Sequence, residues 1–404
     1  MKKRRFTWIG KYVLPGFLAL TLPFATAEAQ TANIPTNEIV DVSVGFDDPR
    51  VQLNAGPGPV DRFVRSGVFV DGGSNVGFWW NPNGAGVGTP GWSAPIATGN
   101  NLFNIGAISL NGVSGGNNNV SVGVLTTAGA SNYQLGNISV TGTAGGSGWL
   151  GGFMSGGHFG GNIAGGDVRT VNAGATSVFG VHFRPMAGGI ANINPGANVT
   201  FGDITARSTN NNAATNNIVG AYGFAAGTLF NTASVTLGDV TANAGGILQD
   251  ATAVQFGVVD GAVNIRSLTA TGGIGGTQGL FVGGGVGVTG DITIGSVTAT
   301  GGVGSANFGA GATGRTFGTH YVGNVAGSVS VTGETIVTAG TAAVGATAVG
   351  HWLEGNLAAT GTFETGDITA TANGAGFARG LLISGAGLAH LNFRSTVVLM
   401  VYTC

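Results

Sequence analysis

Residues 366–372 read Gly-Asp-Ile-Thr-Ala-Thr-Ala, with the apolar Ile368, Ala370 and Ala372 alternating with Asp367, Thr369 and Thr371. A period of two belongs to a strand with one buried face. Related stretches begin at Gly106, Gly136, Gly166, Gly202, Gly238, Arg266, Gly295 and Gly333, so successive starts lie 30, 30, 36, 36, 28, 29, 38 and 33 residues apart. These make nine units of about 32 residues, a period that marks a solenoid, propeller or array. Each unit carries a second apolar run further on, as in residues 177–183, 253–259 and 316–322. A third run, as in 197–201, 233–237 and 327–331, leads into the next unit. Three short strands per unit, separated by Gly and Asn, predict one turn of a coil.

Coils of this kind stack into an all-β fold, a right-handed parallel β-helix of about nine three-stranded coils with an N-terminal cap. Each strand pairs with its equivalent one coil away at about 4.8 Å, so nine coils would make a rod on the order of 40 Å long. Stability then comes from contacts between neighbouring coils. A propeller fits less well, because its blades need four strands and about 40 residues or more.

Composition changes the picture in two ways. Glycine is 79 of 404 residues, without the every-third-residue period of collagen; it suits tight corners and close backbone approaches. The β-branched content and regular strand pattern argue against a disordered chain. Charge is unevenly placed: Lys2, Lys3, Arg4, Arg5 and Lys11 precede position 12, and the rest of the chain has ten Arg and no Lys. Sixteen acidic residues follow position 29, a balance near −6. No clustered basic face appears, so nucleic acid is not an expected partner.

Residues 1–29 combine a basic start, an apolar stretch over 12–24 and small-residue cleavage patterns around Ala25, Ala27 and Ala29, which predicts a secretory signal peptide. The apolar stretch is shorter than the roughly 20 residues a spanning helix needs. Residues 30–104 lack the repeat and hold seven of the 11 prolines with Trp79, Trp80 and Trp92; this segment is expected to cap the open end of the coil stack. Repeats run over 105–395, and 396–404 form an atypical, truncated-looking tail. The one cysteine, Cys404, permits no intramolecular disulfide.

Asn81, Pro82, Asn83 and Gly84 resemble the Asn-Pro-Asn-Gly motif of two-partner secreted haemagglutinin-like exoproteins. The repeats over 105–395 resemble passenger regions of Gram-negative autotransporter and haemagglutinin-like surface proteins. That resemblance implies a β-helix displayed at the outer membrane or secreted. It also implies extracellular glycans or neighbouring cell surfaces as partners, and a translocator acting in trans or missing from this chain.

Candidate chemistry was weighed against this architecture. Parallel β-helices include polysaccharide lyases, whose chemistry needs gathered carboxylates with an Arg or Lys. Here Asp167, Asp203, Asp239, Asp291 and Asp367 recur about once per unit, mostly at repeat starts, where Asp commonly caps a turn. If coils align, a column of these Asp would repel itself, and a cation such as calcium would relieve it; the Gly-Gly-x-Gly-x-Asp calcium repeat is absent. His158, His182, His320, His351 and His390 show no metal-ligand spacing and read as strand and turn residues. Outward Thr269, Thr271, Thr298, Thr300, Thr369 and Thr371 form a candidate surface array. Such an array resembles the ice-binding face of antifreeze β-helices, although Thr is also simply a favourable strand residue. The resulting expectation is an exported, non-enzymatic β-helix with a structural or adhesive display role, no catalytic, cofactor or metal residues, and loops such as 207–217 and 301–314 held outward. A carbohydrate-active lyase or hydrolase is the alternative, and ice binding a minor one.

Overall fold

The computed structural model describes residues 32–33, 39–40, 63–71 and 74–81, and from 102 to 401 all but 106, 114–119, 127–131, 143–148, 173–176, 184–190, 210–219, 246–249, 273–275, 302–313, 341–345, 374–375, 386–390 and 394–396. The expected leader at 1–29, Pro82 to Gly84, most of the two display loops, Arg184 and His390 lie outside the described residues. Chain contacts separate Met1–Gln30 from Thr31–Cys404, and the fold below is that of the second unit.

The described residues hold strands and no helix, in a parallel β-helix with three strands per coil. One complete coil runs Asn198–Phe201 on a first face, Ile204–Ser208 on a second and Gly220–Leu229 on a third. Asn198–Phe201 pairs parallel with the start of Ser234–Ala244, Ile204–Ser208 with its second half, and Gly220–Leu229 with Asp250–Val259. In three coils the first two faces are one unbroken strand, Ser234–Ala244, Ala262–Thr271 and Asp291–Thr300. The first two faces therefore join as one 17-stranded sheet opposite the 11-stranded sheet of the third face.

Two elements depart from the sequence-based expectation. Within the compositionally distinct segment, Ser74–Asn81 already stacks parallel on Val120–Thr126, while Phe63–Asp71 pairs antiparallel with it. That hairpin partner takes up the ladder groups that Ser74–Asn81 turns away from the stack. At the other end, Val397–Val401 pairs parallel with Ile368–Ala372, in register from Ile368 opposite Val397 to Ala372 opposite Val401. The second face thus holds ten strands where the repeat gave nine units. Val-Val-Leu-Met-Val has no polar alternation, which is why the repeat pattern did not register it.

Alternation along each strand fills the interior. In Ile204–Ser208 the odd positions are buried and the even ones reach outward, as in Ile368–Ala372. Phe153, Phe183, Phe224 and Phe256 stack from coil to coil inside, with centroids 5.8, 5.7 and 5.5 Å apart. Each ring is fully buried, so their contribution is both burial and tilted ring-on-ring packing.

The third face carries a constraint that sets how near the two sheets come. Its register skips one residue in each strand: Gly151 faces Phe179 and Phe153 faces Val181, passing over Gly152 and Gly180. This skipped position is Gly77, Gly123, Gly152, Gly180, Gly223, Gly279, Gly318, Gly350 and Gly380, with Ala253 the exception. A Cβ on Gly180 would lie 2.3 Å from Ile204 Cγ2 and 2.5 Å from Gly223 O; on Gly350 it would lie 2.4 Å from Ile368 Cγ2. β-Branched residues of the second face therefore rest directly on third-face backbone. In the one coil with Ala253, the second-face residue in register with Val240 and Val297 is Leu268. Leu has a single Cγ, so no second branch is directed at the alanine methyl.

Gly180→Ala should destabilise the fold by about 1–3 kcal/mol through overpacking. Adding Ile204→Leu, which imitates the Ala253 and Leu268 pair, should recover part of that loss. Urea midpoints of the two single variants and the double variant read the coupling; strictly additive losses would refute the pairing rule.

Candidate functional site

The corner between the first and second faces is where the sequence put its aspartates. There Asn137 Oδ1 accepts the Asp167 backbone N–H at 2.9 Å, Asp167 Oδ1 that of Asp203 at 2.9 Å, and Asp203 Oδ1 that of Asp239 at 2.9 Å. Each carboxylate caps the next coil, so three of the five named aspartates form one ladder. Its repulsion is relieved by the chain itself: Arg266 donates to Asp239 through Nε and Nη2, both at 2.7 Å, and to Asp203 at 2.5 Å. The guanidinium and the Ser267 hydroxyl hold Asp239 below the usual carboxylate range, and the two carboxylates raise Arg266 further. Asp291 instead opens a first-face strand opposite Ala262 and Ser328. Asp367 stands at the same corner, its carbonyl accepting the Thr335 N–H at 2.8 Å.

Parallel ladders occur at the other corners. Asn132 Oδ1 accepts from Asn162 N and Nδ2 at 2.8 and 2.9 Å, and Asn162 Oδ1 from Asn198 at 3.1 Å. His158 Nδ1 accepts the Asn192 N–H at 3.1 Å, and Asn192 Oδ1 that of Thr228 at 2.9 Å. His158 is thus a rung of an amide ladder.

The six array threonines fall into two outward files on the second face. One runs Thr241, Thr269, Thr298, Ile336 and Thr369; the other runs Asn243, Thr271, Thr300, Thr338 and Thr371. All of these residues are half-buried. Thr338 continues the second file in a unit that begins Gly-Glu-Thr-Ile-Val, where Thr335 and Ile336 transpose the usual Ile-Thr order without changing the register. Ile336 interrupts the first.

Register places His182 and His320 in one file on the third face, Met154, His182, Ala225, Gln255, Phe281, His320 and Trp352. His320 stacks face to face on Trp352, centroids 4.5 Å apart at 6°, and leans on Phe281 and Phe317 at 5.3 and 5.0 Å. Its Nε2 lies 3.4 Å from Glu354 Oε1. Burial holds the His320 imidazole below its ordinary range; Glu354 opposes this and Arg315 adds to it. Trp352 Nε1 donates to Ser384 Oγ at 3.0 Å.

The adjacent residue, His351, points inward and is fully buried. Thr319 Oγ1 lies 2.9 Å from its Nδ1, and Thr365 Oγ1 and Thr335 Oγ1 lie 3.0 and 3.3 Å from its Nε2. Thr365 donates its own proton to Gly366 O at 3.2 Å, so its oxygen is free to accept Nε2–H, leaving Nδ1 to accept from Thr319. The imidazole is therefore neutral with its proton on Nε2, and burial pushes its pKa down to about 3. Phe363 packs edge-on against it at 5.3 Å, and the buried Tyr321 stands two residues beyond Thr319 on the same strand. Sequence reasoning treated His351 as an ordinary strand residue. The available signal was the shared alignment of Thr319 and His351 at a position that Leu280, Val254 and Phe224 occupy in earlier coils.

Arg169 is an exposed second-face residue in the file of Ser139 and Thr205. Asp250 is pushed up by burial and accepts the Gly276 N–H at 2.6 Å. Among the described residues no three His, Cys, Asp or Glu side chains gather as a metal site would require.

Thr365→Val removes the acceptor of a buried Nε2–H and should cost about 1–3 kcal/mol, read as a lower urea midpoint. Arg266→Gln should lower stability modestly at pH 7, less in high salt. Because the Asp239 pKa is depressed in the fold, its stabilising share is present above the unfolded value near 4 and fades as pH falls through the folded one. The variant and parent should therefore converge at low pH in thermal melts. Comparison of the chain with known protein families, with curated proteins and with solved structures finds no match.

Proposed function

We propose that the chain is exported and serves outside the cell as a structural, adhesive display solenoid, carrying loops that make weak, multivalent contacts with glycans or neighbouring cell surfaces. The supporting observation is where the variation in unit length is placed. Between the first and second faces the connections stay at zero to three residues throughout. Between the second and third faces they range from four residues, at 373–376, to 14, at 301–314, with 11 at 209–219, and between the third face and the next first face from two, at 260–261, to 14, at 184–197. All of these connections flank the third face, whose own strands stay in register from coil to coil. A constant frame with variable connections is what display requires, since loops tolerate change that a ladder does not. Several weak contacts spaced along the frame reinforce each other through effective concentration.

The geometry favours this reading over the carbohydrate-active alternative. The nearest gathering of acids, Asp203 and Asp239, shares the Arg266 guanidinium, which holds Asp239 low, whereas a general acid needs a raised pKa. A second reading, adsorption to an ordered lattice such as ice, rests on the file of Thr271, Thr300, Thr338 and Thr371. Ile336 and the exposed Arg266 group interrupt that surface.

Replacing 302–313 and 210–217 by two glycines each should leave the melting temperature within a few degrees, because loop-closure entropy depends weakly on length. Binding of the secreted chain to a glycan array and to whole cells should fall at least tenfold. Undiminished binding would sink the display reading. Cleavage of a polysaccharide panel would favour the enzyme, and thermal hysteresis lost in Thr300→Tyr would favour the lattice.

A further inference from the structure

Two imidazoles meet at one strand pair from opposite sides of the third face. Arg315–Tyr321 and Thr347–Leu353 pair in parallel, with Thr319 opposite His351 and His320 opposite Trp352. His351 closes an interior network with Thr319, Thr335 and Thr365, three hydroxyls that are themselves buried. His320 closes an outer stack with Phe281, Phe317 and Trp352. Both networks bridge consecutive coils; the interior one needs an uncharged ring, and burial disfavours a charge on the outer one.

A second proton on His351 would go to Nδ1, where the Thr319 hydroxyl already donates. Thr319 would have to turn, and a cation would stand in a core walled by Phe363 and Tyr321. No carboxylate lies within hydrogen-bond reach of His351 among the described residues; the groups there are Thr319, Thr335 and Thr365. A buried charge without a partner is strongly disfavoured. His320 faces Glu354 at 3.4 Å, which eases its protonation, and Arg315 on its own strand, which resists it. Among the described residues its Nδ1 has no hydrogen-bond partner. In a stacked array each coil is held by its neighbours alone, so weakening one seam frees the coils beyond it without unfolding those before it.

We propose that the pairing of Arg315–Tyr321 with Thr347–Leu353 is an acid-sensitive seam, at which protonation of His351 and His320 uncouples the following coils from the rest of the β-helix. The inference stands independently of the display reading. In the opened state each imidazole regains its ordinary affinity for a proton, near pH 6.5, whereas in the closed state it resists one. Opening therefore becomes easier as pH falls through that value, and closure is complete above it. His351 alone should raise the opening equilibrium about thirtyfold between pH 7.5 and 5.

Hydrogen exchange read by mass spectrometry on the full chain, corrected for intrinsic rates at each pH, tests this. Amides of Thr347–Leu353 and Phe377–Ile383 should lose about thirtyfold or more in protection at pH 5, while those of Ser234–Ala244 and Ala262–Thr271 should not. His351→Gln with His320→Gln keeps donors and acceptors without titrating, and should abolish the pH response. The parent chain tests the idea even if that variant fails to fold: unchanged protection at pH 5, or an equal loss along all coils, would overturn it. So would a double variant that still opens on acidification.

Discussion

The close approach of the two sheets governs this β-helix. At Gly152, Gly180, Gly223 and Gly350 the third-face backbone has a β-branched second-face side chain within a distance that no Cβ could share. A narrow interior follows, one that Val, Ile, Ala and single Phe rings can fill at normal packing density. The same narrowness explains why a bulkier Leu268 is accompanied by Ala253 and not by another β-branched residue: the two sheets must change together. High glycine content in this chain is therefore a packing requirement at a defined face, in addition to its ordinary use at corners such as Gly196 and Gly287, whose φ angles are 80° and 84°.

Lateral closeness alone would let coils slip along the axis or rotate against each other. Polar ladders at the corners oppose this. Asn132 to Asn162 to Asn198, and Asn137 to Asp167 to Asp203 to Asp239, each make a side-chain oxygen accept the backbone N–H of the next coil. A slip of one residue would break every such bond along its file and would turn the buried set outward. Aspartate is tolerated in this series because the charge is spent on backbone donors and then on Arg266, which spans two coils.

Frame and variation are thereby separated. The corner between first and second faces is short and laddered, whereas the two corners that flank the third face absorb connections of widely different length. The same separation locates the points at which the array is vulnerable. Where hydrocarbon gives way to His351 and its three threonines, coil-to-coil adhesion depends on a protonation state as well as on buried area, which is not so in the Phe153 to Phe256 stretch.

Much of this was legible in the residues themselves. Alternation in Gly-Asp-Ile-Thr-Ala-Thr and a spacing near 32 were enough for parallel coils of three strands, because strand period and repeat length are local properties of a chain. The threonine files could be anticipated for the same reason, up to the unit of Thr338, where the transposed Thr335 and Ile336 disguise the match. What the repeat could not convey was how unlike residues meet across coils. That His351 aligns with Thr319 and draws in Thr335 and Thr365, that Arg266 reaches Asp203 across 63 positions, that Val397–Val401 completes a tenth rung, and that glycine on one face answers valine on another are consequences of stacking. Sequence periodicity determines which side of a strand each residue takes; only the folded stack, by fixing register and sheet separation, decides what it meets there.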